Sequence, residues 1–324
     1  MLRGTEYDRH GILITGTAGI GKSCLSGKLI ERFSHKKLIV IHGKLDVGDL
    51  FMKFNDLFEQ YDIQSGLDII SSQDDNEKRV MAFFRDALKL MPSILYFDDF
   101  EQNLERVPSA NADDDDVFKV HDDVLPLIRG LLRALNWAEG NTHIIISSRY
   151  PFELVHAGKN LPEEYLHRIP LMSMRDADLK KKLDNLAHIQ ASRHKEAYIQ
   201  AGKGNPRLLE WLDAIAAEEE NYDIEQLKQE IQGKTEEYIA TYLTELMMKT
   251  EGEEFRQFLR QASVYRQPVP ESAFADFGTP VQIRAQIQRG CRLTLIEQEI
   301  QADKESLYQV NPMIRESEWN RLSE

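Results

Sequence analysis

Cysteine is nearly absent: Cys24 and Cys291 are the only two among 324 residues, too few for a disulfide framework and without the paired spacing of a zinc site. A reducing, cytoplasmic setting is the expectation. Long apolar runs are missing too, since no stretch approaches the roughly 18–20 residues that cross a bilayer. The charged opening Met1–His10 leads into a glycine-rich loop, which is not the build of a secretory leader. No membrane partner is expected. Positive charge is in deficit, with 40 Lys plus Arg against 54 Asp plus Glu and a formal charge of −14. That balance disfavours nonspecific attraction to nucleic acid or anionic lipid, so a polyanion would have to be gripped locally. Internal repeats are absent, and low complexity is confined to Asp113-Asp114-Asp115-Asp116, adjacent carboxylates that read as a solvated loop rather than a metal site. What remains is 42% hydrophobic and 29% charged, the balance of a folded protein, and its length suits more than one domain.

The first part alternates short apolar runs with helix-length segments. Gly11–Thr15, Leu38–His42, Ile94–Phe97 and His143–Ser147 read as strands; Cys24–Phe33, Glu77–Leu90 and Leu125–Trp137 read as helices. Continuously apolar strands between helices predict a parallel sheet with helices on both faces, an α/β domain over about the first 150 residues. After Pro151 the strand signals stop. Asp176–Ala187, Arg193–Ala201, Pro206–Ala217 and Ile224–Lys249 read as helices, with a turn at Glu218–Tyr222. From about Glu253, helices at Phe255–Tyr265 and Pro280–Gln288 precede two β-like runs, Leu293–Gln301 and Ser306–Val310, joined by Ala302-Asp303-Lys304-Glu305. Helices followed by a two-stranded ribbon predict a winged helix. The expected division is 1–155 for the α/β domain, 156–236 for a helical subdomain and 237–324 for the winged helix.

Gly16-Thr17-Ala18-Gly19-Ile20-Gly21-Lys22-Ser23 fits G-x-x-x-x-G-K-[ST] and lies between a predicted strand and a predicted helix. Glycines there let backbone N–H groups turn towards phosphates, and the helix dipole adds positive potential. Lys22 is expected to reach the β- and γ-phosphates of ATP, and Ser23 to ligate Mg²⁺. Cys24, in the first turn of that helix, is counted with the nucleotide-binding loop; its thiol is read as packing beside the strand rather than as redox-active. Asp98 and Asp99 end the run Ile94-Leu95-Tyr96-Phe97, at the carboxyl end of a buried strand where ligands of open α/β sheets sit. Asp98 is the candidate Mg²⁺ holder and Asp99 the candidate group that orients or deprotonates an attacking water. Ser147-Ser148-Arg149 closes another core strand, and Arg149 is either a reader of the γ-phosphate or a surface arginine at a strand end.

Taken in order, these motifs resemble those of the STAND class of signalling NTPases, which includes NB-ARC, NACHT and MalT-like proteins. Gly16–Ser23 is similar to its Walker A, Tyr96-Phe97-Asp98-Asp99 to its Walker B and Ser147-Ser148-Arg149 to its sensor I. Gly204-Asn205-Pro206-Arg207-Leu208-Leu209 resembles the Gly-x-Pro motif, whose proline packs on adenine. Phe258–Tyr265 with Pro268-Val269-Pro270 resembles the start of the family's winged helix, and Tyr308–Glu316 its last motif. Two departures stand out. Asn311 occupies a position where many relatives have a histidine touching the β-phosphate of ADP, and an uncharged amide makes a weaker lock. Relatives also carry an adenine-contacting segment before the first strand; here that part of the pocket is either missing or supplied by Gly4 and Thr5.

The resemblance implies a switch, closed with ADP and opening with ATP so that copies self-associate, with slow ATP hydrolysis as the reset. Effector and sensor domains flank this core in relatives, so the chain is expected to be the core of a longer protein, its effector and sensor partners lying outside. The alternative is a DNA-binding AAA⁺-like or winged-helix regulator. Residues 255–324 carry nine Lys plus Arg and nine Asp plus Glu, and Arg284 and Arg289 on the candidate recognition helix are too few for a duplex-binding surface. Nucleic acid is therefore not an expected partner. A small-molecule kinase would need an arginine-bearing lid, which the sequence does not show.

Overall fold

The computed structural model describes residues 11–108, 117–300, 306–312 and 314–315. Gly4, Thr5, the Asp113–Asp116 run and the Ala302–Glu305 turn lie outside the described residues. The chain forms two compact units. The first takes in the residues up to Met172, apart from the loop tip Ala18–Ile20, and the second takes in that tip with Ser173 onward.

The first unit runs β1 (Gly11–Thr15), α1 (Lys22–Glu31), β2 (Lys37–His42), α2 (Val47–Gln60), α3 (Gln64–Ile70), α4 (Asn76–Ala82), β3 (Ser93–Asp98), β4 (Leu104–Val107), β5 (Val117–Val120), α5 (Leu125–Ala134), β6 (Thr142–Ser148), β7 (Val155–His156), β8 (Lys159–Asn160), α6 (Leu161–Tyr165) and β9 (Leu166–Pro170). Five strands form one parallel sheet in the order β2-β3-β6-β1-β9. The strands β1, β3 and β6 read as unbroken apolar runs because both faces are covered. On one face, Ile12, Ile14, Ile94, Tyr96 and Ile145 meet Leu25, Leu29 and Phe33 of α1 and its flank. On the other, Leu13, Leu95, Phe97 and Ile146 join the larger core built by α2, α5 and the turns around them. Phe54, Phe58 and Phe83 form its centre, with ring centroids 4.9 to 5.8 Å apart.

Two expectations are corrected here. Strand signals do not stop at Pro151, because β9 is a fifth strand, paired in parallel with β1. Its residues Leu-His-Arg-Ile-Pro sit on an edge and alternate in burial, so they never form the apolar run that marks the inner strands. The helix expected over Glu77–Leu90 is α4 followed by a π-helical turn, Phe83–Ala87, in which Leu88 N–H reaches back to Phe83 O. This turn brings Phe83, Phe84 and Ala87 all into the core.

The second unit continues with α7 (Asp176–Leu183), α8 (Ala187–Ala191), α9 (Lys195–Gly202), α10 (Pro206–Ala216), α11 (Ile224–Ile231), α12 (Glu236–Thr250), α13 (Glu253–Ala262), β10 (Val269–Pro270), α14 (Pro280–Arg292), β11 (Ile296–Ile300) and β12 (Ser306–Val310). The single helix expected over Ile224–Lys249 is two helices. Gly233, at φ 73°, turns the chain and Thr235 starts α12 afresh by accepting the Tyr238 N–H at 3.3 Å, a stop and start that outweigh the helical periodicity running through them. Strand β10 lies between α13 and α14, and with β11 and β12 after α14 it forms the antiparallel sheet β10-β12-β11, three strands where a two-stranded ribbon was expected. Trp211 of α10 is fully buried in this unit's core and its Nε1–H donates to Thr294 O at 3.4 Å.

Candidate functional site

The carboxyl ends of β1, β3 and β6 lie side by side in the sheet, so whatever follows each strand converges there. After β1 comes the glycine loop. Gly19 and Gly21 hold φ of 74° and 103°, values that residues with a Cβ rarely adopt. They let the loop wind tightly into α1, whose N-terminus has neither a side-chain cap nor an acidic residue in its first turn. Unengaged first-turn amides of this kind suit an anion. Lys22 is buried, and its ammonium donates to Gly16 O at 3.0 Å and Thr17 O at 3.2 Å. Burial pulls its pKa below the ordinary range, opposed first by the charge of Glu101, then by Asp99, with Asp98 acting in the same sense.

After β3, Asp98 accepts hydrogen bonds from Ser23 Oγ (3.2 Å), Tyr96 Oη (2.6 Å) and Ser147 Oγ. Burial alone would raise its pKa, but hydrogen bonds from His42, Ser147 and Tyr96 outweigh it and hold the carboxyl down to about 2. Asp99, next in the chain, behaves oppositely: burial, then the charges of Asp98 and Glu101, push it up to about 6. Its backbone is left-handed, φ 52° and ψ 43°, which turns the chain sharply and separates the two carboxylates' environments. Ser23 and Asp98 are two hard oxygen donors within hydrogen-bonding distance, the chemistry that Mg²⁺ takes when phosphate oxygens and water complete its shell. The residues present therefore fit Mg²⁺ with a nucleotide phosphate. Among the described residues, no cluster of three or more His, Cys, Asp or Glu forms a metal site made of protein alone.

After β6, Arg149 Nε lies 2.9 Å from Glu101 Oε1 and its backbone N–H donates to Glu101 Oε2 at 3.1 Å. The structure thus gathers Lys22, Ser23, Asp98, Asp99 and Arg149 at one end of the sheet. Cys24 is exposed, which corrects the expectation that its thiol packs beside the strand; Ser26 and Lys22 are the buried residues of α1 instead. Pro206 and Asn311 belong to the second unit. Pro206 opens α10 behind Asn205, whose side chain caps the helix by accepting from Arg207 N–H (3.0 Å) and Leu208 N–H (3.3 Å). Asn311 is buried, and its amide donates to Glu297 Oε1 at 2.9 Å. Arg207 also pairs with Glu297.

Three contributors were missed in the sequence. His42 stands beside Asp98 in the register of β2 and β3, with Nδ1 3.7 Å from Asp98 and Nε2 3.8 Å from Asp99; its place at the end of a strand was the available signal. Tyr96 reaches Asp98 because i and i+2 share a strand face. Glu101 had no signal beyond following Asp98 by three residues. Elsewhere in the first unit, a cavity of about 500 Å³ is lined by Leu13, Phe118, Phe152 and Leu166 with Glu153 and Arg168. It contains none of the candidate residues.

A parallel sheet with a glycine loop after β1 and an acid at the end of β3 defines an α/β P-loop NTPase fold. No protein-family model matches the sequence, and no curated protein does either. Among solved structures, the chain is similar to a Signal Transduction ATPase with Numerous Domains (STAND) protein with a tetratricopeptide repeat sensor from Pyrococcus horikoshii. The TM-score is 0.57 at 16% identity, covering 95% of this chain and 40% of that one. The chain thus spans 40% of that protein's length. What the two share is the fold, an α/β P-loop domain followed by further helices. Weaker likenesses extend to Aeropyrum pernix ORC1 in complex with DNA, with TM-score 0.36, 10% identity and coverage of 96% and 86%. Drosophila ORC bound to AT-rich DNA and Cdc6 gives TM-score 0.30, 10% identity and coverage of 98% and 87%. Among the described residues, no helix is long and apolar enough to cross a membrane.

Proposed function

We propose that the chain is a Mg²⁺-dependent ATP/ADP switch that hydrolyses ATP slowly, is closed with ADP, and opens and self-associates with ATP to drive an effector outside this chain. The observation that carries this reading is the convergence of Lys22, Ser23, Asp98, Asp99 and Arg149 at the carboxyl ends of three adjacent strands. Lys22 neutralises phosphate charge, and Ser23 with Asp98 would hold Mg²⁺, which supplies electrostatic stabilisation of the transferring phosphoryl group when bound. Asp98 is kept ionised by its donors. Asp99, with its raised pKa, orients and takes a proton from the attacking water. Arg149 distinguishes a terminal γ-phosphate from none. The expected boundary at 155 moves to Met172, since β9 belongs to the first unit's sheet, and residues 173–236 and 237–324 act as the helical and winged-helix subdomains, with Pro206 on the adenine and Asn311 at the β-phosphate. A cytoplasmic setting goes with this reading.

Duplex binding gains no support from α14. Arg284 Nε donates to Glu271 at 2.7 Å, and Arg289 donates to Glu251 at 3.1 Å and Glu218 at 2.9 Å, so both arginines are already matched by carboxylates.

The test is to denature freshly purified protein and identify the released nucleotide by chromatography, with Lys22→Ala in parallel. Near-stoichiometric ADP, absent from the variant, is the expected result. An empty wild-type site that exchanges ATP rapidly would sink the ADP-closed state.

A further inference from the structure

Glu101 is an acid in a place where an acid should weaken anion binding. It lies three residues after Asp98, in the 3₁₀ turn Phe100–Asn103, and its side chain is only 10% exposed. Its charge acts on Lys22 more strongly than either Asp99 or Asp98 does, so it lowers the positive potential available to a phosphate. A carboxylate buried there without compensation would be strongly unfavourable, and its compensation is Arg149, engaged twice: Nε 2.9 Å from Oε1, and the backbone N–H donating to Oε2 at 3.1 Å.

The turn that carries Glu101 is fixed on both sides. Phe100 is fully buried. Asn103, also buried, accepts Leu45 N–H at 2.7 Å and donates to Gly43 O at 2.9 Å and Phe100 O at 3.2 Å. Glu101 is therefore presented from a rigid element, and it grips both the main chain and the guanidinium of one residue. A surface ion pair would have neither property, because long side chains in water hold no single geometry.

We infer that Glu101 is a positioning residue of the phosphate site, one that anchors Arg149 by its backbone N–H and its Nε edge and so sets the arginine's power to tell ATP from ADP. This inference rests on the reading of Arg149 as the group that senses the γ-phosphate. Glu101 touches no substrate in this role; it acts through Arg149.

The test is equilibrium binding of Mg²⁺-ATP and Mg²⁺-ADP to the full chain as wild type, E101A, E101Q, R149A and the double variant E101A/R149A. E101A should weaken ATP about tenfold and leave ADP within about twofold, the loss expected when a charged hydrogen-bonded anchor is removed. E101Q keeps the side chain's volume and one acceptor oxygen, so it should fall between wild type and E101A, and it carries the test should E101A fold poorly. The double variant should bind ATP no worse than R149A, since both changes break one unit. Equal losses for ATP and ADP, tighter ATP binding by E101A or E101Q, or losses that add in the double variant would each overturn the inference. An R149A that leaves the ATP-to-ADP ratio unchanged would instead remove the sensing role of Arg149, and the positioning role would go with it.

Discussion

The two units put their buried polar groups to different use. In the first, Lys22, Ser23, Asp98 and Arg149 stand at the ends of three strands, each bonded to a neighbour there. In the second, Asn205 caps a helix, Arg207 and Asn311 share Glu297, and Arg289 joins Glu218 to Glu251. Those partners hold elements together. The difference teaches that a polar group's chemistry depends on where the sheet or helix delivers it. The same kind of ion pair braces two elements in one unit and sits at the carboxyl end of a parallel strand, where open α/β sheets place ligands, in the other.

Four changes would break or sharpen that contrast. The largest effect belongs to Trp211→Ala, which empties a fully buried site in the second unit and should cost about 3–5 kcal/mol of stability, measured by urea denaturation. Next is Lys22→Ala, expected to lower the affinity for both ATP and ADP roughly a hundredfold, about 2–3 kcal/mol of charged hydrogen bonding, by isothermal titration calorimetry. A variant that binds as well as wild type would place the phosphate site elsewhere.

Third is Glu77→Gln in the first unit, where Glu77 accepts from Arg129 Nε at 2.9 Å and Arg133 Nη1 at 2.8 Å, bracing α4 against α5. Hydrogen bonding from Arg129, against an opposing burial effect, holds its pKa below the ordinary 4.5. A depressed folded pKa adds stability above the unfolded value and loses it as pH falls through the folded one. The variant should therefore be about 1–3 kcal/mol less stable at neutral pH, and the gap should close in acid below pH 4.5, as followed by denaturation at several pH values. The smallest effect is Glu297→Gln. Its carboxylate is 42% exposed and so screened by solvent, which limits the loss of stability to about 1 kcal/mol. A much larger loss would mean that the brace between α10 and β11 matters as much as the core.

Legibility followed geometry. The β1–loop–α1 succession could be read because a phosphate-wrapping backbone needs glycine at set positions, and Asp98 because an acid after five apolar residues has one natural place in a parallel sheet. His42 and Glu101 could not be read this way. The first depends on the register of an edge strand against β3, the second on a turn whose anchor, Asn103, makes its bonds with residues about sixty positions away. Strand β9 escaped because an edge strand needs only one buried face per alternate residue, and the α11–α12 break because a glycine and a capping threonine interrupt a periodicity that is otherwise continuous. Cys24 was misplaced because α1 buries a narrow stripe that the thiol misses.

The left-handed backbone of Asp99 has an evolutionary edge to it. An L-residue held at φ 52° costs of order 1–3 kcal/mol that glycine would largely avoid and asparagine would bear more easily than most. The position proposed for water activation is thus also one where losing the carboxylate relaxes the fold. A lineage selected for heat tolerance alone would drift towards glycine or asparagine at position 99. Persistence of an acid there across descendants would be a record of selection for turnover, written against the grain of stability.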